Sequence, residues 1–472
     1  MILLILFAVV FLGALWRPIF GAAVVLLSRC VLPLPWLYMP LSGLGGIELS
    51  DVALLGLSLG VLWQYREGFF ARHAWLWGVV FWFAMASFYT FAAGLNPDSR
   101  RSDALNEFVR FGLCWVIPMA IDGGSRRNRH QLLICCALVA GLTACVQMYV
   151  ILTGDQDLLV RWLRMEEGSA IKVGQLAEAG GLYKANLPGM FVVVAVFFFC
   201  LAALMLRWQE TRSLRWPLLA LAFGCGATIF SFRSKSLGAV VAVGILILLV
   251  FESRSSMFGV IRLVFLAAVL ALGFWGVEAW SKVNFFQETV ERFKSDLIFW
   301  NEGSIGVRIG DNIQAAKLAA RFPVFGVGKP SVTFESGFDY TVGSGGFEGL
   351  GYDGHALLML AQFIGLPGAL MAGLALTRLV LRIPWKHLGR APWITLGCVT
   401  GFTALLVLSM GNASPVFSQR PELTAFMVFW GLVLADVPRL ADCRGMRTSK
   451  LKHPPPKCEP PADGQRTNSL CA

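Results

Sequence analysis

"PLLALAFGCGATIFSFRSKSLGAVVAVGILILLVF", Pro217–Phe251, is two apolar runs joined by a turn whose charges are Arg233 and Lys235. Runs of this kind recur from one end of the 472-residue chain to the other. A helix of about 20 apolar residues crosses a hydrocarbon core of about 30 Å. Lipid offers no partner to backbone N–H and C=O groups, so such runs are read as helices, which satisfy those groups internally. The stretch therefore sets the expected fold class: an all-α polytopic membrane protein.

Composition agrees. The chain is 56% hydrophobic and 15% charged, with a mean hydropathy of +0.66. A soluble domain of this size carries about 25% charged residues. The formal net charge is +11, which in a membrane protein reflects Lys and Arg in short cytoplasmic loops. No nucleic-acid motif is present, so nucleic acid is not an expected partner. Of the eleven cysteines, most sit inside apolar runs, and none forms a CxxC pair or a Cys/His cluster. Neither a metal nor a cofactor is expected. "MILLILFAVVFLGALWRP" lacks a basic leader and a small-residue cleavage site, so it reads as a retained membrane segment.

Expected spans lie near 1–33 (one broken or two short, interrupted at Arg17-Pro18), 47–65, 74–95, 108–122, 132–153, 187–206, 216–232, 237–251, 259–280, 356–377, 394–411 and 422–437, about 12 in all. This divides the chain into N-terminal helices over 1–280, a long loop over 281–355, C-terminal helices over 356–437 and a tail over 438–472. A further long loop covers 154–186. The tail, basic and then Pro-rich ("KHPPPKCEPPADG"), cannot bury a core and is expected to be disordered. Placing it in the cytoplasm puts Arg66–Arg72, "SRRNRH", "RWQETRSLR", "ESRSS" and Arg378–Arg390 there too. All carry Lys or Arg, as the positive-inside rule requires. The uncharged loop 34–46 and both long loops then lie outside, in the periplasm of a cell whose inner membrane holds the protein.

The turn with Arg233 and Lys235 falls on the outer side, where basic residues are disfavoured. Arg100, Arg101, Arg308 and Arg420 share that placement. A guanidinium at an outer leaflet can snorkel to headgroups or pair with a local acid such as Asp98 or Asp103. It can also bind phosphate oxygens with its planar fork.

Three segments carry a resemblance. They are "SFRSKSLGAVVAV", a basic turn opening a helix; "GVRIGDNIQAAKLAARFPVFGVGKPS", an Arg, a helical stretch and a Pro-x-x-Gly-x-Gly stop; and "GHALLMLAQFIGLPGALMAG", with His355 before a small-residue-rich helix. In this order and spacing they resemble the O-antigen ligase and polysaccharide polymerase superfamily of bacterial envelope glycosyltransferases. "IELSDVALLGLSLGVLW" and "LYKANLPGMFVVVAVFF" are weaker echoes upstream, so the likeness covers roughly 40–437. The chain departs from the pattern at Ala356, where an Asn often follows the His, and at "IGDNIQ", where an aromatic usually follows the Arg.

The resemblance implies a GT-C-like fold with a periplasmic active site. The implied reaction is inverting and metal-independent, and it moves a glycan from undecaprenyl diphosphate to lipid A-core or to a growing polysaccharide. Membrane lipids and a chain-length regulator or flippase are the other implied partners. The implied catalytic residues are Arg233, Arg308 and His355. Arg233 and Arg308, with Lys235 helping, would neutralise the leaving diphosphate, and the free N–H groups of the helix opening near Leu237 would add to that anion site. His355 would take the proton from the acceptor hydroxyl. Asp353 would orient it or act as the base, with Glu348 and Asp339 as further carboxylates. A secondary transporter or a flippase of lipid-linked sugars is the competing class. Transporters place ionisable groups inside spans, which this sequence does sparingly.

Overall fold

The computed structural model describes residues 2–31, 38–41, 45–64, 67–93, 105–153, 189–231, 312, 315–328, 356–383, 385, 388, 391–411 and 420–450. The expected spans 237–251 and 259–280 lie outside these residues, as do 154–188 and 451–472.

The described residues are mostly helical, with one β-hairpin and short turns such as 322–328. In chain order they form α1 (Ile2–Trp16), α2 (Pro18–Cys30), strands β1 (Tyr38–Leu41) and β2 (Gly45–Glu48), α3 (Leu49–Gln64), α4 (Glu67–Arg72), α5 (Ala74–Ala93), a π turn (Phe108–Gly112), a 3-10 turn (Leu113–Val116), α6 (Ile117–Asp122), α7 (Arg126–Thr153), α8 (Met190–Leu206), α9 (Arg215–Ser231), α10 (Ala356–Arg382), α11 (Trp393–Gly411) and α12 (Arg420–Lys450). Among them, Ala74–Ala92, Arg126–Tyr149 and Ala356–Arg382 are long and apolar enough to cross a membrane. The all-α membrane character expected of the sequence holds at that level.

The break at Arg17-Pro18 produces two short helices. Pro18 has no N–H to continue α1, and the chain folds back so that a Cβ placed on Gly21 would lie 2.9 Å from Ala14 Cβ. The exposed carbonyls at the end of α1 find a donor in α3: Gln64 Nε2 gives hydrogen bonds to Leu15 O (3.0 Å) and Trp16 O (2.6 Å). α3 lies against both halves, and glycine makes this close approach possible: a Cβ on Gly56 would be 2.6 Å from Phe11 O.

The uncharged loop contains a hairpin. β1 and β2 are antiparallel, pairing Tyr38 with Glu48 and Leu41 with Gly45. The expected single span over 108–122 is instead a π, 3-10 and α series, with Pro118 in the first turn of α6. α12 stays helical to Lys450, past Pro438, where the sequence pointed to a tail. The centre of the bundle is aromatic, with Trp115, Phe197, Phe198, Phe402, Phe426 and Trp430 fully buried across the 3-10 turn, α8, α11 and α12.

Charged side chains gather in two groups among the described residues. Arg29, Glu48, Asp51, Arg110 and Thr424 join at one end of the bundle. Arg72, His73, Asp122, Arg378 and Arg382 gather at the other, called here the basic end. Trp16, Trp63 and Trp216, each at a helix end, are 80%, 85% and 81% exposed. Exposed indoles at helix ends are what a membrane interface selects.

Candidate functional site

The side chains that the resemblance marks for chemistry, Arg233, Lys235, Arg308, Glu348, Asp353 and His355, lie outside the described residues, as does Asp339. What is described is the frame beside them: 315–328 of the second motif, and α10, which starts one residue after His355.

These two motifs interlock. α10 was expected as a straight span over 356–377, but it breaks at Gly365, whose φ of 80° and ψ of 170° only glycine adopts readily. The break is a reversal. A Cβ on Gly373 would lie 3.7 Å from Leu357 Cδ1, whereas a straight helix would hold residues sixteen apart at about 24 Å. α10 is therefore a helical hairpin with arms Ala356–Ile364 and Leu366–Arg382. The segment that follows His355 is a half-helix leading up to the hinge, not the start of a straight span.

A helix that ends inside an apolar bundle leaves orphan carbonyls, and these need donors. The second motif supplies them. Val327 N–H donates to Gln362 O (2.9 Å) and Gly328 N–H to Phe363 O (3.0 Å), while Leu366 N–H, opening the second arm, donates to Pro323 O (2.8 Å). Trp82 Nε1–H of α5 serves Ile364 O (2.9 Å) and Val324 O (3.2 Å). Phe325 packs between Trp82 and Tyr89, with ring centroids 5.4 Å and 5.0 Å away. Gly326 and Gly328 have φ of 66° and 73°. A Cβ at Gly326 would strike the Gln362 carbonyl, and one at Gly365 the Val324 carbonyl.

Beside this junction is a small cavity walled by Phe83, Ser87, Thr90, Glu107, Phe111, Gly328 and Phe363. It is apolar apart from two hydroxyls and one carboxylate.

Next to the cavity, through the π turn, runs a buried ion network. Asp51 accepts Glu48 N–H (3.1 Å), which closes the start of α3 in the manner of a capping box. The same Asp51 Oδ2 accepts Arg110 Nε (3.2 Å), and Arg110 Nη2 lies 3.6 Å from Glu48 Oε1. Arg29 Nη2 faces Asp51 Oδ1 at 3.8 Å, both side chains being almost fully buried (3% and 8% exposed). Arg29 Nη1 donates to Cys114 Sγ (3.0 Å) and to Thr424 Oγ1 (3.2 Å). One acid and one guanidinium thus tie α2, α3, the 3-10 turn and α12 together. Glu422, two residues from Thr424, is buried as well, and its Oε2 has no hydrogen-bond partner among the described residues.

Sequence reasoning passed over Arg29, Asp51, Arg110 and Glu107. All four were visible as charges in or at the edge of apolar runs ("LLSRCV", "IELSDVALL", "EFVRFGLCW"), a signal that marks a functional or network position in a membrane. Among the described residues, no group of three or more His, Cys, Asp or Glu is arranged to hold a metal ion. No protein-family model matches the chain, and no curated protein sequence matches it.

Proposed function

We propose that this chain is a membrane glycosyltransferase of the O-antigen ligase and polymerase type. It transfers a glycan from undecaprenyl diphosphate to lipid A-core or to a growing polysaccharide at the periplasmic face of a bacterial inner membrane. One observation carries the reading beyond the resemblance: the second and third motifs, whose flanks hold Arg308 and His355, are locked together by backbone hydrogen bonds around Gly365. A motif pair that only shared hydropathy would have no reason to interlock.

In this reading Arg233 and Arg308 neutralise the diphosphate as the anomeric bond breaks, and Lys235 assists. Metal-free charge neutralisation of this kind is within reach of fixed guanidinium groups. His355 receives the proton of the attacking hydroxyl, oriented by Asp353, with Glu348 as a further carboxylate. The junction gives the long loop a rigid anchor, which is what positioning reactants requires.

A deletion strain tests the reading through its envelope glycans. Core capped with one repeat unit assigns a polymerase, and bare core with long lipid-linked chains assigns a ligase. Loss of a secreted polymer with intact lipopolysaccharide assigns an exopolysaccharide polymerase. Unchanged glycans refute the proposal. The buried ions and the broken helix are also features of secondary transporters and flippases. Vesicles reconstituted with the protein separate the classes: a glycosyltransferase forms a new glycosidic bond, whereas a transporter or flippase relocates an unaltered substrate.

A further inference from the structure

At the basic end of the bundle, α5, α10 and α12 leave an open groove whose charged wall is Arg72, Arg378 and Arg382 and whose apolar wall includes Trp75, Trp430 and Leu434. Arg72 and Arg378 both act electrostatically on Arg382, so three guanidiniums crowd one another here. The nearby acid, Asp122, is already engaged: its Oδ2 lies 3.0 Å from His73 Nε2 and 3.5 Å from Arg72 Nη1. Among the described residues, Arg378 and Arg382 have no acidic partner.

The charged wall continues into a lipid-facing ridge. Leu366, Leu370 and Leu374 are all exposed on the second arm of α10, and Arg378 and Arg382 complete the same four-residue spacing. Each four-residue step turns about 40° around the helix. The second arm thus carries a winding ridge of three leucines and then two guanidiniums. Trp75, itself partly exposed at this end, sits where an indole marks the headgroup level.

We propose that this groove binds an anionic glycerophospholipid. Its phosphodiester lies among Arg72, Arg378 and Arg382, and an acyl chain runs along the Leu374–Leu370–Leu366 ridge. Two guanidiniums without an acid, beside a third whose acid also serves His73, need a counter-ion, and a phosphodiester supplies it in geometry the guanidinium fork matches. The leucine ridge supplies the second half of the recognition, which no free anion can use. Basic pockets between helix ends are places where anionic headgroups dock. The site would seat the basic end of α10 against the bilayer, at the opposite end from the glycine junction, and it does not depend on the glycan chemistry proposed above.

Native mass spectrometry of the full chain, exchanged into dioleoyl phosphatidylglycerol or dioleoyl phosphatidylcholine, tests this. The wild type is expected to retain one phosphatidylglycerol in preference to phosphatidylcholine. Arg378→Gln with Arg382→Gln should weaken that retention about 30-fold, from the usual contribution of two cations at a charged lipid surface. Both side chains are exposed, so the double variant should fold as the wild type does. Arg126→Gln with Arg127→Gln, exposed arginines on α7, is the control and should leave retention unchanged. Equal retention of the two lipids overturns the proposal, as does an equal loss in the control pair. Displacement of phosphatidylglycerol by excess inorganic phosphate, with no effect of Leu374→Ser, would assign the groove to a free anion instead and would overturn it too.

Discussion

Two glycines of α10, eight residues apart, should respond in opposite directions to the same substitution. Gly365 has φ of 80° and ψ of 170°. Placing an alanine there costs about 1–3 kcal/mol in backbone strain alone. The new Cβ would also strike the Val324 carbonyl, so the 323–328 segment must withdraw. That withdrawal endangers the hydrogen bonds Val327–Gln362, Gly328–Phe363 and Leu366–Pro323. Each is worth about 0.5–1.5 kcal/mol net, and more when the abandoned carbonyl stays buried. Gly365→Ala should therefore destabilise the fold by about 3–5 kcal/mol. Gly373 is helical, and its Cβ would meet Leu357 Cδ1 at an ordinary 3.7 Å. Gly373→Ala should be neutral or stabilising by up to about 1 kcal/mol, the helix-propensity gain. The assay is survival of the monodisperse peak after stepwise heating of detergent-solubilised protein. Spin labels at Leu357 and Gly373 give an independent reading, because a hairpin brings them close and a straight helix holds them about 24 Å apart. Equal melting of the two variants, or the long distance, would show that α10 is one continuous span and would remove the interlock from the argument.

Three further outcomes are expected. Asp51→Ala strands the buried Arg29 guanidinium and leaves Arg110 with Glu48, and it should cost about 3–5 kcal/mol, with part of the loss restored when Arg29→Met is added; an unchanged heat-survival curve for Asp51→Ala would mean the network is ornamental. Arg233→Ala and Arg308→Ala should each lower glycan transfer by about 10²–10³ at normal membrane levels, with only partial rescue by Lys and a mild effect of the control Arg101→Ala; wild-type polymer output from either would dismiss the diphosphate clamp. EDTA should leave transfer by the reconstituted protein largely intact, and loss that Mg²⁺ or Mn²⁺ restores would move the chemistry to Asp339, Glu348 and Asp353.

Apolar run length was legible wherever a run ends at charge. Expected spans 187–206, 216–232 and 394–411 correspond to Met190–Leu206, Arg215–Ser231 and Trp393–Gly411, since Arg207, Arg215 and the loop before Trp393 set sharp polarity steps. Local backbone geometry was not legible by that route. "FVRFGLCWVIPMAID" has the hydropathy of a span, yet Gly112 and Pro118 lie in a series that changes from π to 3-10 to α. "FIGLPGA" contained its own breaker, but glycine and proline also occur in continuous membrane helices, so only the partner segment 323–328 decides that this one reverses. The Arg29–Asp51 contact joins residues on two helices, and nothing local to either predicts the other. The proposed chemistry has the same character: the motifs name residues, while their assembly depends on tertiary contacts.

The reversals after Trp16 and Ile364 meet a similar need in related ways, and that bears on how a span count should be taken. At Trp16 and at Ile364 an apolar helix stops and leaves its last carbonyls without intrahelical donors. In each case a neighbouring helix sends a side-chain donor to them: Gln64 of α3 at the first, Trp82 of α5 at the second. At the first, Gly56 of α3 lets the backbones approach, lying against Phe11 O; at the second, Gly326 lets the 323–328 segment approach the Gln362 carbonyl and add the Val327 and Gly328 N–H donors. A short apolar run is thus stable when a specific polar residue on another run is aimed at its end, so Gln64 and Trp82 carry information about crossings that hydropathy alone does not. Replacing either donor with leucine keeps every run as apolar as before and removes the reason the helix can end there.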